Sequence, residues 1–256
     1  MSKTPKTTKT TADTASTRTR SSASSLADLL QSRTRMSNFT VWLCGQTPLI
    51  CHAWSQKAKL SMLAKQQKQA TGGREAKDPQ QDFIDTLYRL PDSNYGFPGM
   101  AIKNALVDAA HKDKGIAKTT VRAALYLKAT MIRTYTAHSD AICDLPLIRL
   151  YGSQPEMRED MVRVGSGVNK IATLVYRAQF TVWAMRVEGQ LNETAIPRDA
   201  LRYLLDTAGL QNGIGEWRNE RGGMFGAFHV ADIDEEKAWE AFAKGGKLPE
   251  PAEAMV

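Results

Sequence analysis

Alternation of hydrophobic and other residues with a period of two predicts four β-strands along the chain. The first lies in MSNFTVWLCG (36–45), where Phe39, Val41 and Leu43 occupy alternate positions and share one face. The longest alternation, IATLVYRAQFTVWAMRVEGQL (171–191), predicts one long central strand with Leu174 and Phe180 on the same face. CDLPLIRLYG (143–152) and MFGAFHVADI (224–233) predict the other two strands, and SQPEMRED (153–160) is predicted to be a loop.

Helical spacing of apolar residues predicts the segments that separate these strands. PGMAIKNALVDAAHKDKG (98–115) starts at Pro98 and stops at Gly115, and IPRDALRYLLDTAGL (196–210) has Pro197 in its first turn and Gly209 at its end. The other predicted helices are HAWSQKAKLSMLAKQQKQ (52–69), DFIDTLYRL (82–90), TTVRAALYLKA (119–129) and DEEKAWEAFAKGG (234–246).

The predicted order is strand, helices, strand, strand, helix, strand. This βαββαβ order is that of a ferredoxin-like sheet, the arrangement also found in RNA-recognition (RRM-like) domains. The sequence therefore predicts an α+β fold, a modified ferredoxin-like antiparallel sheet with helical insertions, built as a single domain over residues 36–256.

The first 25 residues contain 14 Ser or Thr and no aromatic residue, too little apolar surface to offset the entropy of the chain. Residues 1–35 are therefore predicted to form a disordered basic tail. This segment has seven Lys or Arg and two Asp, so it contributes +5 of the chain's net charge of +7. The basic balance thus says little about the folded part. Such an arm attracts nucleic acid by salt-sensitive contacts, or else it serves as a solubilising or processed end.

The sequence predicts a protein that neither spans a membrane nor carries a secretory signal, and it contains none of the common catalytic motifs. No run of eighteen apolar residues predicts a membrane span, and no apolar run follows the basic start as in a secretory signal. Three cysteines without CxxC spacing are typical of buried thiols in a reducing cytoplasm, so neither a structural zinc nor another metal is predicted. No Walker loop, HExxH or GxSxG motif is present, so no cofactor and no catalysis are predicted.

The segment GIGEWRNERGGMFGAFHV (213–230) combines five glycines with aromatic and basic residues. Its glycines permit a close approach of the backbone to a ligand, and Arg218 and Arg221 can reach phosphates. Trp217 offers a ring on which a base can stack. The alternative is a β-hairpin that turns at RGG, with Trp217 and Phe225 packed inward across its strands.

A second basic region surrounds a predicted Gly-Ser-Gly turn at 165–167. There Arg158, Arg163, Lys170 and Arg177 are candidate phosphate contacts on an open sheet face. The alternative is a solvated strand whose salt bridges to nearby acids neutralise them.

Lys103 is a further candidate, because it follows YGFPG near a helix start, where backbone N–H groups favour phosphate. The alternative for Lys103 is an ordinary exposed helix lysine. Asp108 and His111 are three residues apart on the same predicted helix. They either share a proton or are ordinary exposed side chains of the helix.

Three segments, TPLICHAWS (47–55), YGFPGMAIKNALVDAA (95–110) and the glycine-rich segment, resemble in their order the RAMP superfamily, above all the backbone subunits of CRISPR effector complexes. The chain also resembles proteins of tailed phages and prophages. The glycine-rich segment departs from the family pattern by carrying Glu216 and Glu220. The resemblance implies a chain that assembles along its ligand as a homo-oligomer or filament, in the cytoplasm of a bacterial or phage-infected cell.

The function predicted is binding of single-stranded nucleic acid, with RNA and DNA both left open. Two alternatives stay open with it. One is a phage structural protein that contacts only protein. The other is a RAMP-like endoribonuclease, for which the resemblance implies a histidine as general base, here His52 near Trp54.

Overall fold

The computed structural model of the protein describes residues 35–69, 76–165 and 171–250. The strands in these ranges are β1 (Met36–Gly45), β2 (Leu49–Cys51), β3 (Gly96–Pro98), β4 (Leu125–Lys128), β5 (Thr130–Arg133), β6 (Asp144–Gly152), β7 (Glu156–Val164), β8 (Ile171–Phe180), β9 (Trp183–Asn192) and β10 (Phe228–Val230). The helices are α1 (Gln56–Gln66), α2 (Pro79–Asp85), α3 (Gly99–Lys114), α4 (Lys118–Ala124), α5 (Arg198–Gln211) and α6 (Ile233–Ala243).

Four strands form the centre of the main sheet and confirm the predicted fold class. Their spatial order is β10-β1-β9-β6, with every neighbouring pair antiparallel. Numbered by their place in the βαββαβ unit, these are strands 4, 1, 3 and 2. The third strand therefore lies between the first two, as in a split ferredoxin-like unit. β3, β4 and β5 extend this sheet, because β4 pairs with β9 while β3 and β5 pair with β6.

The main sheet is covered on both faces, because alternate residues of β1 enter two separate cores. Phe39 and Leu43 join the larger core, to which α3 and α5 contribute their buried faces. Trp42 and Cys44 face the other way and pack with Trp239 of α6, whose ring stacks on that of Trp42 at 6.3 Å. The Asp232 side chain caps α6 in a capping box with Glu235, which fixes where this helix begins.

The single long strand predicted for 171–191 is wrong, because the chain divides it into β8 and β9. β9 belongs to the main sheet, while β8 forms a second antiparallel sheet in the order β2-β8-β7. The break falls at Thr181–Val182, where the backbone of Val182 bonds to Ser153 in both directions. Up to the break the side chains that point into the core have even residue numbers, such as Phe180. After it they have odd residue numbers, such as Trp183.

The loop predicted at 153–160 is also wrong over most of its length, because Glu156 to Asp160 begin strand β7. β7 pairs with β8 along its whole length, from Glu156 opposite Gln179 to Val164 opposite Ile171. Charged residues on both faces of β7 hide the alternation that marks a half-buried strand. β7 and β8 together are called the hairpin below.

Other boundaries differ from the sequence predictions by a few residues. The helix predicted over 119–129 ends at Ala124 and continues as β4, and the last predicted strand shortens to β10. The predicted tail lies outside the described residues except for Arg35, which pairs with Glu193 at 2.8 Å. In the described ranges no helix is both long and apolar enough to span a membrane.

Candidate nucleic-acid interface

The segment from Gly213 to Gly226, called the glycine loop, connects α5 to β10 and is fixed by backbone hydrogen bonds. Glu216 N–H donates to Ile50 O at 3.1 Å, and Gly226 N–H donates to Pro48 O at 2.9 Å. Just before the loop, the buried Asn212 amide donates to Ala105 O of α3 at 2.7 Å. The three segments that carry the family resemblance therefore meet at this loop.

Most of the tight approaches at the loop's glycines are to the protein's own backbone and not to a surface open to a ligand. A Cβ on Gly226, which has φ +68°, would lie 1.7 Å from Ile214 O, and one on Gly215 (φ +82°) would lie 2.6 Å from Ile50 O. Gly222 differs, because it has φ +75° but open space around it. Close packing therefore explains Gly226 and Gly215, whereas the turn conformation alone explains Gly222.

This difference leads to a prediction for alanine substitutions. Gly226→Ala is expected to destabilise the fold by about 3 kcal/mol or more, because the added methyl group collides with backbone that cannot move aside. Gly222→Ala is the matched control, and its strained φ alone is expected to cost about 1–2 kcal/mol. Urea denaturation followed by circular dichroism measures both values. Equal losses in the two variants would contradict the packing explanation.

Between the glycine loop and helices α3 and α4 lies an open cleft of about 610 Å³. Four cations and two acids line it, a local net charge of +2: Lys118, Arg122, Arg218, Arg221, Asp108 and Glu220. Asn104 of α3 adds an amide to the wall. The cleft is therefore polar and positively charged at its rim.

Two of the four cations are neutralised inside the cleft. Lys118 Nζ lies 2.6 Å from Asp108 Oδ1, and its hydrogen bond holds the pKa of Asp108 below the ordinary value. The Arg218 guanidinium lies 2.9 Å from Glu220 Oε2 and also donates to Gly215 O at 3.2 Å. Arg122 and Arg221 are exposed, and neither has a carboxylate of the described ranges within 4.0 Å, although Arg122 is near enough to Asp108 to help lower its pKa. These two arginines remain available to an anion.

Trp217 is exposed beside this cleft, with 42% of its surface accessible. The predicted inward-packed hairpin is therefore wrong for this ring, because the loop forms a short 3₁₀ turn at Asn219–Arg221 instead of two strands. Trp217 also has φ +53°, an uncommon conformation for a bulky residue. Phe225 is half-buried beneath the Arg158 guanidinium, which lies 4.7 Å from its ring centroid. Only Trp217 of this pair presents a ring to solvent.

The basic region of the hairpin differs from the open cationic face that the sequence predicts. Arg177 is buried and its Nη1 lies 3.2 Å from Asp160 Oδ2. Arg158 lies directly opposite Arg177. Its Nε donates to Asp160 Oδ1 at 2.9 Å, and its Nη1 donates to Gln179 Oε1 at 3.0 Å. Asp160 thus binds both guanidinium groups, so neither is an unpaired cation on an open sheet face. Arg163 is exposed farther along β7, and Lys170 lies outside the described residues.

Lys103 does not lie at a helix start. α3 begins at Gly99, so Lys103 lies one turn into the helix. It is half-buried and does not line the cleft. Asp108 and His111 do not share a proton, because Asp108 binds Lys118 and His111 Nδ1 lies 3.3 Å from Ile116 O. The same helix instead contributes Asn104 and Asp108 to the cleft wall.

His52 lies next to Glu216 of the glycine loop, and neither residue lines the cleft. Its Nδ1 is 3.5 Å from Glu216 Oε1, and both side chains are partly exposed. The pKa of Glu216 lies below its ordinary value, first because of His52 and then because of Arg177 and Arg218. The carboxylate is therefore ionised at neutral pH and can orient the imidazole ring.

Sequence reasoning missed Lys118 and Arg122 of α4. They are four residues apart, so they project from the same face of this helix. That spacing was the available signal, but the glycine loop is almost a hundred residues away in sequence, and only the fold brings the two together.

A comparison with solved structures finds a remote likeness to the crystal structure of Cmr6 from Pyrococcus furiosus. The TM-score is 0.36 at 9% sequence identity, over 77% of this chain and 99% of that one. No protein-family model matches the chain, and no curated protein matches it. A likeness at this level transfers no residue role, so the functional argument rests on the site itself.

Proposed function

We propose that the chain binds single-stranded RNA or DNA in the cleft and does not cleave it. The observation that carries this proposal is the rim, where Arg122 and Arg221 lie at an open cleft without a carboxylate partner in the described ranges. Guanidinium groups that the fold does not neutralise favour phosphate oxygens, which they bind in a bidentate manner. The cleft accordingly fits a phosphate backbone better than a neutral ligand.

An unpaired strand fits better than a duplex because of Trp217. Its exposed ring stands beside the arginine-bearing turn, and stacking on a splayed base contributes about 1–3 kcal/mol per base. In a duplex the base faces are already stacked on one another. Phosphate contacts at the rim and one stacked base therefore make up the proposed mode of binding.

The proposal is tested by titrating labelled single strands of RNA and DNA, and a duplex, with the full chain at several salt concentrations. Single strands are expected to bind more tightly than the duplex, with log K falling by about 0.7 per phosphate contact for each unit of log salt. Substituting Gln for Lys3, Lys6, Lys9, Arg18 and Arg20 separates the tail from the cleft. Absence of binding at low salt, or complete loss of binding in this tail variant, would contradict the proposal.

A second arm of the same titration tests the stacking role. Trp217→Ala is expected to weaken binding of single strands by about 5- to 100-fold while leaving the salt slope unchanged, because it removes a base contact and no charge. Met224→Ala is the matched control, since Met224 is an exposed apolar side chain of the same loop. An equal effect of the two substitutions would remove Trp217 from the interface.

We further propose that copies of the chain assemble along the bound strand. The support is the hairpin, where β7 pairs with β8 alone in the described ranges and thus has one open edge. Met161, Val164, Ile171 and Leu174 are exposed on it, as in surfaces that contact protein. Sedimentation with strands of increasing length is expected to show an increasing number of copies per strand, and one copy at every length would refute assembly. A phage or prophage origin stays a prediction.

A second candidate function, endoribonuclease, is favoured by the His52–Glu216 pair. An ionised carboxylate beside a partly exposed imidazole is the arrangement that a general base requires. Incubation with single-stranded RNA tests it, and cleavage that disappears in His52→Ala would replace the binding proposal with this one. If neither binding nor cleavage occurs, the exposed hairpin favours the remaining alternative, a protein that contacts only protein.

A further inference from the structure

A cluster of three potential metal ligands lies on the α6 side of the main sheet, apart from the cleft. Cys44 of β1 is directly opposite His229 of β10 in the antiparallel register. Glu235 is the third residue of α6, which starts three residues after β10. One potential ligand atom from each of these residues lies within 4.8 Å of the other two. The tight β10–α6 connection is what brings the carboxylate back to the strand pair.

Cys44 is the buried member of this cluster, whereas His229 and Glu235 are partly exposed. Cys44 is buried between β10 and α6, beside Trp239. His229 Nε2 lies 2.9 Å from Glu235 Oε2, whereas Nδ1 is buried and has no hydrogen-bond partner among the described residues. Buried polar atoms are paired in the great majority of cases, so such an orphan nitrogen requires an explanation. Because Nε2 is the ring nitrogen beside Glu235, a cation held by this pair would leave Nδ1 unpaired, so the proximity of the three ligand groups carries the inference and not this nitrogen.

We infer that Cys44, His229 and Glu235 bind one divalent cation of the zinc class. Thiolate, imidazole and carboxylate together form a ligand set typical of Zn²⁺ and not of Mg²⁺ or Ca²⁺, which prefer oxygen alone. Tetrahedral coordination at about 2.0–2.3 Å needs ligand atoms roughly 3.3–3.8 Å apart, so shifts of about 1 Å suffice. The ligands are already on three neighbouring elements.

A fourth ligand would have room beside the cluster. A cavity of about 330 Å³ borders Cys44 and Glu235, and it is also lined by Asp234 and Glu250. Three protein ligands with an adjoining polar cavity fit a site that keeps a water molecule as its fourth ligand. The cation would fasten β1, β10 and α6 together, immediately after the glycine loop ends. This inference differs from the prediction of no metal, which relied on local CxxC spacing and did not consider ligands more than 180 residues apart.

The experiment is a Co²⁺ titration of metal-free full-length protein, followed by its absorption spectrum. One equivalent of Co²⁺ is expected to give a thiolate-to-cobalt charge-transfer band together with the visible bands of tetrahedral Co²⁺, and Zn²⁺ is expected to displace both. Cys44→Ser is expected to lose the charge-transfer band, while Cys143→Ser, the matched control at a half-buried cysteine, keeps it. Glu235→Gln, which preserves the capping box, is expected to weaken Co²⁺ binding at least tenfold.

A stability measurement accompanies the spectra, because loss of a band in a misfolded variant would mean nothing. The far-ultraviolet circular dichroism of each variant without metal is expected to match that of the wild type. Zn²⁺ is expected to raise the midpoint of thermal unfolding of the wild type and of Cys143→Ser, but not of Cys44→Ser. No band at one equivalent, or a band that survives in folded Cys44→Ser, would overturn the inference. These outcomes are independent of nucleic-acid binding.

Discussion

Replacing Arg122 and Arg221 together by glutamate is expected to lower the affinity for single-stranded RNA or DNA by about 100-fold or more. Both side chains are exposed at the cleft rim, and the fold uses neither in an ion pair with the described residues. The double substitution changes the lining from four cations and two acids to two cations and four acids, a net change from +2 to −2. Anisotropy titrations of labelled strands at fixed salt measure the loss.

The control for this experiment carries the same change of charge elsewhere. Lys244→Glu with Lys247→Glu alters two exposed cations beyond α6 that do not line the cleft. Its affinity is expected to stay within about threefold of the wild type, because charges separated by more than about 10 Å of salt solution are largely screened. If both variants lose affinity equally, overall charge and not the cleft explains binding.

The sequence predicts the four central strands of the main sheet because local patterns mark them, whereas β3, β4 and β5 were not predicted as strands. β1 has Phe39, Val41 and Leu43 at alternate positions, and α5 is marked at its start by Pro197 and near its end by Gly209. The second sheet escapes prediction for two local reasons. β7 carries charged residues on both of its faces. The inward-facing positions change from even to odd numbers at the two-residue break before Trp183, inside a continuous alternation of apolar and other residues. That change from even to odd positions was the one available signal.

The candidate site is predictable only in part, because its chemistry depends on pairing between distant residues. The glycine loop is visible in the sequence from its composition. Whether an arginine in it is available to a ligand is not visible, since Arg218 is bound by Glu220 whereas Arg221 is not. The sequence likewise does not show that Arg177 is neutralised, because Asp160, which binds it, lies on the neighbouring strand. Opposite charges in one segment therefore do not show which cation stays unpaired.

Removing the acid that neutralises Arg177 is expected to cost about 3 kcal/mol of folding free energy. Asp160 and Arg177 are 12% and 8% exposed, so Asp160→Ala leaves a guanidinium group buried without its carboxylate. Arg177 Nε already has no hydrogen-bond partner among the described residues, and Glu216, whose pKa Arg177 lowers, is not in an ion pair with it, so compensation is expected to be partial. Arg158 is affected less, because it keeps Gln179 and the ring of Phe225. Urea denaturation, with hydrogen exchange of the hairpin amides, measures the change.

The double variant Asp160→Ala with Arg177→Met separates a buried charge from lost packing. It removes both charges, so its stability is expected to lie within about 1 kcal/mol of the wild type, because apolar replacement of buried ion pairs is often neutral. The difference of about 2 kcal/mol between Asp160→Ala and the double variant would measure the cost of leaving the Arg177 guanidinium buried without Asp160. A double variant as unstable as Asp160→Ala would show that the cost comes from the carboxylate's place in the strand and not from the unpaired arginine. Because Arg177 lies inside the hairpin and not on its surface, neither variant is expected to change the salt slope of nucleic-acid binding, in contrast to substitutions at the cleft rim.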